Sequence, residues 1–553
     1  MGTYQHVRFA YRTAPEVGGA PLRRPVAVVG AGPVGLAAAI DLALHGVPSV
    51  VLDDNDSVSV GSRAICWSKR TLEIFDRLGV ADRMLAKGVT WRIGRVFHRD
   101  RELYCFDLLP EGGHKMPAFI NLQQYYVEQY LVERALEFPQ LIDLRWKHRV
   151  AALRPAAGGA ALEVDTPDGR YAVQADWVLA ADGARSTLRG LLGLPFEGHT
   201  FEEKFLIADV QIGADFPSDR RFWFEPVFGQ GQSVLIHRQP DNIFRIDFQL
   251  GPDADADLEM QPERVMRRVR GVVGPDVPCE LDWCSVYSFR CARLDRFVHG
   301  RVVFVGDSAH VVSPFGARGG NGGIQDVDNV CWKLAQVLAG RAPERLLESY
   351  DAERVHGADE NIRNSRRTTA FMTPKTGTEK LFRDGVLALA HDYPFARLLV
   401  NSGRLSRPCS LEGLPGFEGD GADLDGPMRP GMPCLDAPVT GGDGAPDWLL
   451  RHLGGHFTVL SFAGDIGSLQ RLESGLAGAA PDGVQMLAVT PQLLPGGTLQ
   501  QLVDAEGLVR SRYGGADGVT YLIRPDQHVT ARWARPEAAA VGRAWRRSLG
   551  EQP

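Results

Sequence analysis

The chain has 553 residues, 44% of them hydrophobic and 23% charged, which excludes a disordered or fibrous protein. At roughly 100–200 residues per domain it predicts about three or four compact units. Sixty-one Lys and Arg against 68 Asp and Glu give a net charge of −7, so the overall field does not favour a nucleic-acid partner. No run reaches the roughly 18 apolar residues of a membrane span, and MGTYQHVRFAYRTAPEV has no signal-like apolar stretch, so a cytoplasmic protein is expected. The 8 cysteines are scattered without a C-x-x-C pair or a His cluster at metal spacing, and read as buried free thiols with no metal centre.

Residues 1–24, rich in Pro, Gly and Arg, read as an arm. From Pro25, PVAVVGAGPVGLAAAIDLALHGVPSVVLDDND predicts an apolar strand, a glycine turn, a helix ending at Gly46 and a second buried strand, together a βαβ unit. SKRTLEIFDRLG predicts an amphipathic helix with Leu72, Phe75 and Leu78 on one face and Gly79 as its stop. A helix around QQYYVEQYLVERALEF precedes ALEVDTPDGRYAV, where Asp168-Gly169 signals a hairpin. Strand-type patterns then dominate residues 201–290, predicting a sheet-rich domain inserted into the first. RVVFV at Arg301 returns the chain to an α/β layer, followed by a glycine-rich loop, a helix from Ile324 to about Leu338 and further helical segments. The Gly- and Pro-dense RPCSLEGLPGFEGDGADLDGPMRPGMPCLDAPV sets a boundary near residue 410, and residues 410–553 predict a small α/β domain.

Gly30-x-Gly32-x-x-Gly35 follows the first strand and opens the first helix, and the second strand ends at Asp53. Gly30 permits the tight turn, Gly32 lets a pyrophosphate approach the backbone, and Gly35 lets helix and strand pack closely. The helix N-terminus offers unpaired N–H groups to phosphates, and Asp53 is placed to accept hydrogen bonds from ribose hydroxyls. A dinucleotide is expected; this fingerprint alone leaves NAD and FAD open. Two further segments, WVLAADGARSTLRGLLG with Asp182-Gly183 and GRVVFVGDSAHVVSPFGARGGNGGIQD with Gly306-Asp307, each place an acidic residue at the end of a buried strand.

With these three ordered motifs the chain resembles the class A flavoprotein aromatic monooxygenases, the para-hydroxybenzoate hydroxylase-like group, and within it the larger phenol and hydroxyphenylpropionate hydroxylase branch. The resemblance implies an FAD-binding Rossmann-like domain (25–200 and 291–409), an inserted substrate domain (201–290) and a C-terminal thioredoxin-like domain (410–553). That last domain has no C-x-x-C, Cys434 being isolated, so dithiol chemistry is not expected, and a packing or oligomer-contact role, a homodimer for instance, is the plain reading. The resemblance assigns Asp307 to the flavin ribitol and Asp182-Gly183 to FAD and the nicotinamide donor, with Arg185 as a further phosphate contact. Arg63 matches a family arginine near the flavin diphosphate. Gln124 matches a cofactor-contacting glutamine, with Gln123 as the register alternative. The segment from Pro314 to Gly323 is placed against the isoalloxazine, where N–H groups near Gly320 and Asn321, aided by Arg318, would stabilise negative charge.

The implied chemistry is reduction of FAD by NADPH or NADH, then reaction with O₂ through a flavin C4a-hydroperoxide and oxygen transfer to a small phenolic or other aromatic substrate. A phenol reacts best as phenolate, so a base or acceptor near its hydroxyl is expected. His237, in QSVLIHRQ, is the candidate, a histidine satisfied within the sheet being the alternative. Arg238, Tyr287, Arg290, Trp223 and Phe222 are candidate pocket groups. Three other readings stand beside this one. A related FAD oxygenase acting on a polyketide or other multi-ring substrate, by hydroxylation, epoxidation or Baeyer–Villiger insertion, would differ only in pocket shape. A flavin-dependent halogenase lacks support, since no W-x-W-x-x-I stretch occurs. A non-enzymatic flavin-binding protein would fail to be reduced.

Overall fold

The computed structural model describes residues 4, 6–61, 64–156, 158–213, 216–228, 232–314, 316–400, 407–417, 424, 426–480, 483–495 and 499–551. The first sheet is built on the strand Leu22–Val29, which pairs in parallel with Ser49–Asp53 on one side and Gly169–Ala180 on the other. Ile142–Trp146 and Val302–Phe304 extend it, also in parallel. Val26, Val28, Val50 and Val51 are fully buried, as expected of strands covered on both faces. Pro33–Leu44 and Gly319–Leu338 supply Leu36, Ile40, Ile324, Val327 and Val330 to the same core. The expected hairpin forms, with Thr166 opposite Gly169.

A second sheet of eight strands runs in the order His310–Val311, Cys279–Arg293, Glu197–Ile212, Ile243–Leu250, Val234–Arg238, Arg220–Phe224, Ile93–His98, Arg101–Asp107. Its last two strands come from a segment with no alternation strong enough to announce them. They join through a parallel pairing of Arg220–Phe224 with Ile93–His98 that spans more than a hundred residues of chain. Pro262–Val273 covers the outer face, where Val265, Val269 and Val273 meet Val234, Ile236, Phe244, Ile246 and Phe248. A three-stranded sheet of Cys66–Ser68, Phe119–Asn121 and Val89–Trp91 lies at the junction of the two large sheets.

The C-terminal part holds a seven-stranded sheet in which Phe457–Phe462, Val484–Thr490 and Gln501–Val503 are parallel, while Thr520–Ile523 and Val529–Trp533 form an antiparallel hairpin. Ile466–Ala479 and Ala538–Ser548 pack on it through Leu469, Leu476, Val541 and Ala544. Cys434 is buried there as a free thiol. Among the described residues no helix is long and apolar enough to cross a membrane.

The helix expected from Ile324 begins at Gly319. Its leading glycines are poor helix formers, but contacts from outside hold them. A Cβ at Gly323 would come within 2.7 Å of Val34 and 3.0 Å of the Gly306 backbone, so only glycine lets this helix approach the turn at Gly306 so closely.

Charged side chains dock the C-terminal hairpin onto this helix. Arg524 donates to both oxygens of Glu353 at 2.8 Å and to Asp526, and Lys333 lies 3.1 Å from Glu353. Asn329 donates to Glu353 and Asp526, while Arg70 reaches Asp328, Gln527 and the Asp526 carbonyl. Every one of these groups is buried. Burial works against ionised Glu353, but the Arg524 and Lys333 cations outweigh it and hold the carboxyl down at about 2 against its ordinary 4.5.

Removing one member of such a network strands its partners without compensation. Arg524→Leu is expected to lower unfolding free energy by about 3–5 kcal/mol, read as a fall in urea midpoint; a parent-like midpoint would show the network dispensable. Because the folded carboxyl of Glu353 is depressed, its contribution is fully present above pH 4.5 and is lost as pH falls towards about 2. Glu353→Gln should therefore flatten the acid side of the stability curve over that interval.

Candidate active site

The glycine turn is shaped by close approach. Gly30 has φ +104°, and a Cβ there would lie 2.5 Å from the Ala181 carbonyl oxygen; at Gly35 it would lie 1.9 Å from the Gly30 carbonyl oxygen. Gly32, at the N-terminus of Pro33–Leu44, has nothing within 4 Å of its Cβ position, so the backbone is open there. Asp53 braces the turn from the next strand. Its Oδ2 accepts from the Ala31 N–H at 2.6 Å and its Oδ1 from Asn55. Burial raises its pKa against those hydrogen bonds; Oδ1 accepts from both Asn55 donors, while Oδ2 keeps a second lone pair for another donor.

Asp182 follows Gly169–Ala180 directly beside Gly30. Its Oδ2 accepts from the Leu188 N–H at 2.9 Å, while Oδ1 is buried with no partner. Burial pushes this carboxyl up. Gly183, φ +76°, opens onto free space. Arg185 is exposed, and Arg189 joins this loop to the next motif by donating to the carbonyls of Ala184 and Ser308.

Gly306–Ser308 forms a single 3-10 turn after Val302–Phe304, with Asp307 exposed between two buried neighbours. Asp307 Oδ1 lies 3.8 Å from the Cβ position of Gly319, so this carboxylate stands at the start of the long helix. Asp326, about two turns further along, fixes the arrangement. It accepts from the Gly306 N–H at 2.9 Å, from His310 Nε2 at 2.7 Å and from Arg354 Nε at 2.6 Å. Burial opposes its ionised form, and His310 and Arg354 override that and lower its pKa. Sequence reasoning passed over Asp326, His310 and Arg189; the acidic pair Asp326 and Asp328 in a helix with a buried apolar face was the available signal.

Asn321 spends its side chain on the neighbouring sheet. Oδ1 accepts from the Ser68 N–H at 2.9 Å, and Nδ2 donates to the carbonyls of Cys66 and Ala317. Gly320 packs against Trp67, with Trp67 carbon atoms at 3.4 Å from its Cβ position. Gln124 Oε1 accepts from the Ala64 N–H in the same place, whereas Gln123 is buried and reaches towards Pro240. Pro314 is exposed, and Arg318 is the buried N-cap residue. Arg63 lies outside the described residues.

The inner face of the eight-stranded sheet closes over this region. His237 Nδ1 is 4.0 Å from Cys66 Sγ, and Asn121 donates to the Arg238 carbonyl at 2.8 Å while accepting from Trp91 Nε1. The pairing of Val234–Arg238 puts His237 beside Arg245, and one further step of its register with Arg220–Phe224 puts it beside Arg220. Arg245 is neutralised by a two-pronged contact with Asp209 at 2.8 Å. Burial, then the two guanidinium groups, drive the His237 pKa well below 6.5. Asp247, 3.9 Å from His237, has its carboxyl raised by burial to about 6. The imidazole is neutral, and its surroundings disfavour storing a proton on it.

The pleat separates the other candidates. Phe222 and Tyr287 belong to the apolar cluster of the inner face, with Phe205, Phe224, Phe289 and Met372. Trp223 points to the outer face, stacked on Phe97 at 5.0 Å within the cluster that Pro262–Val273 covers. Arg238 lies over Phe244 and bonds Asn242 at the end of the hairpin, and Arg290 is exposed beside Phe196. The structure thus gathers the three glycine-bearing motifs, Gln124, Gly320 and His237, and sets Trp223 and Arg238 apart from them.

These residues fit an FAD: an open glycine at one helix N-terminus for a pyrophosphate, an orphaned carboxylate oxygen on Asp182, an exposed Asp307 for a polyol, and a second helix N-terminus at Gly319. Residues 23–365 match the FAD binding domain family. Over 540 residues, 92% of this chain and 91% of the relative, the chain is 30% identical to 6-methylpretetramide 4-monooxygenase of Streptomyces rimosus. Over 379 residues, 67% of each protein, it is 32% identical to a 3-(3-hydroxy-phenyl)propionate/3-hydroxycinnamic acid hydroxylase of Burkholderia vietnamiensis. The fold matches that of the flavin-dependent monooxygenase PieE, solved with FAD and substrate, with TM-score 0.80 and 23% identity, over 96% of this chain and 100% of that one. The chain belongs to the FAD binding domain family and is an FAD-dependent aromatic monooxygenase.

Proposed function

We propose that the chain hydroxylates a phenolic ring, with NADPH or NADH as reductant and O₂ as the oxygen source. The observation that carries this reading is the meeting of the cofactor cradle with the inner sheet face. Cys66 and Trp67 touch His237 on one side and the Gly320 helix start on the other. When bound, FAD supplies electron transfer from the nicotinamide and activation of O₂.

The chain's own residues do the rest. Asp307 holds the cofactor's polyol, and the N–H groups at Gly319 and Gly320 face negative charge at the helix start. Phe205, Phe224 and Phe289 exclude water from the inner face. His237, neutral, orients the substrate hydroxyl by a hydrogen bond, while Arg220, unlike the Asp209-paired Arg245, favours its ionised form electrostatically. A second reading, a fused-ring polyketide-type phenol, is favoured by the relative that matches nearly the whole chain, including the C-terminal domain.

The test is the anaerobic rate of flavin reduction by NADPH and by NADH, with phenols, hydroxyphenylpropionates and fused-ring phenols added singly. Acceleration by one compound is the expected result and nominates the substrate. One rate whatever is added would overturn the reading.

Two substitutions test the roles. Asp307→Ala is expected to weaken FAD binding by about 10- to 100-fold, the loss of one charged hydrogen bond of about 1.5–3 kcal/mol, with the fold intact by circular dichroism; unchanged flavin content would remove Asp307 from the site. A general base typically contributes about 10²–10⁴-fold. His237→Gln, which keeps a hydrogen-bonding group but takes up no proton, should therefore retain turnover within about tenfold, with the shape of the pH profile unchanged. A drop of about 10³-fold would restore the base.

A further inference from the structure

The sheet face that closes the site carries a cation, Arg220, that makes no ion pair with any described residue. Arg220 is the first residue of Arg220–Phe224 and pairs across to Gly94, which has no side chain to cover it. It shares the inner face with Phe222 and Phe224, opposite to Trp223. Its guanidinium lies over the Trp91 ring, 5.4 Å from the centroid, and makes no hydrogen bond or ion pair with any described residue. Arg245, two strands away on the same face, is by contrast locked onto Asp209 at 2.8 Å through both nitrogens.

The groups around Arg220 leave its charge standing. His237 is neutral, and burial pushes the Cys66 thiol up to about 11, so it too is uncharged. Asp247 is the nearby carboxylate that attracts Arg220, but it forms no ion pair with it, faces His237 at 3.9 Å and has an orphaned Oδ1. Burial leads the influences on Arg220 and disfavours its charge. A guanidinium cannot relieve that by losing its proton, since its pKa stays above the range proteins reach. Yet Arg220 keeps accessible surface while the walls on either side, His237 and Trp91, are buried. An unpaired cation on a sheet face it shares with Phe222 and Phe224 has the planar fork that pairs with an oxyanion, and the Trp91 ring beneath it holds the fork in place.

We propose that Arg220 is the anchor for an oxyanion carried by the aromatic substrate, and so the residue by which this site selects charged over neutral rings. The inference rests on the proposed hydroxylase reading, because the oxyanion must arrive on the molecule that occupies the site. Two sources share this chemistry, a carboxylate on a side chain of the ring and the ionised hydroxyl of the ring itself, and Arg220 would pair with either by two parallel N–H···O hydrogen bonds.

The experiment uses the FAD-loaded enzyme and reads dissociation constants from the perturbation of the flavin absorbance. One arm compares 3-(3-hydroxyphenyl)propionate with its primary amide. The other compares 4-nitrophenol with 4-nitroanisole at mildly alkaline pH, where only the former is ionised. In the parent, the anionic member of at least one pair is expected to bind at least about tenfold tighter than its neutral counterpart, a difference of about 1.4 kcal/mol. The arm that shows it identifies the source. Arg220→Met should abolish that preference and Arg220→Lys should restore part of it, while flavin content and thermal midpoint stay as in the parent. Equal binding of both members by the parent, binding of neither, or a preference that survives in Arg220→Met would each overturn the anchor. If the preference is present and lost in Arg220→Met, but no compound accelerates flavin reduction, the anchor stands and the hydroxylase reading falls.

Discussion

The carboxylate of Asp326 is the contact on which the geometry of this site depends. It is buried inside its helix, so an unpaired charge there would be costly. Its oxygens are taken by the Gly306 N–H, by His310 and by Arg354, three groups from three different segments. One anion therefore fixes the turn that bears Asp307, the strand leaving that turn and the long helix Leu346–Met372. Charge-assisted hydrogen bonds are directional; apolar packing alone would allow this helix to slide against the turn. The glycines at 306 and 323 remove the atoms that would keep the two apart.

The same helix repeats the device further along. Asp328 receives Arg70 and Arg77, Asn329 and Lys333 reach Glu353, and through Glu353 and Asp526 the C-terminal hairpin is held at Arg524. Buried ion pairs contribute little net stability over apolar packing of the same volume, so their use here is better understood as orientation. The C-terminal domain carries one buried cysteine and no redox pair among its described residues, and its contacts bear on the helix whose first turn borders the flavin site. It braces that helix along its length.

What could be read from the sequence follows the range of the interactions. The glycine fingerprint, the two strand-end acidic motifs and the hairpin at Asp168-Gly169 are set within a few residues of chain, and they form where the pattern places them. The strands Ile93–His98 and Arg101–Asp107 were invisible because their place in the sheet is decided by a parallel partner more than a hundred residues away. The early start of the glycine-led helix is decided by Trp67 and Ser68 from outside it, against its own propensity. The period-2 rule would have turned Trp223 away from His237 had the register of their strands been known; one residue of register is the difference between pocket wall and outer core.

The electrostatics of the inner face bear on how a phenol bound there would be activated. A phenol can be activated by a group that takes its proton or by surroundings that favour the anion left behind. The first needs an acceptor with a pKa near the working pH; the second needs fixed positive charge in a place shielded from water. On the proposed reading His237 serves the second route: burial, then the guanidinium groups beside it, depress its pKa, and the unpaired Arg220 would stabilise a phenolate. The cost of holding such charge is borne by the fold. Arg245 is compensated internally by Asp209, whereas Arg220 makes no ion pair with any described residue and feels Asp247 only at a distance. On the proposed anchor, the anion that answers this cation arrives with the substrate, and where it is the ring's own hydroxyl the same contact favours the reactive phenolate.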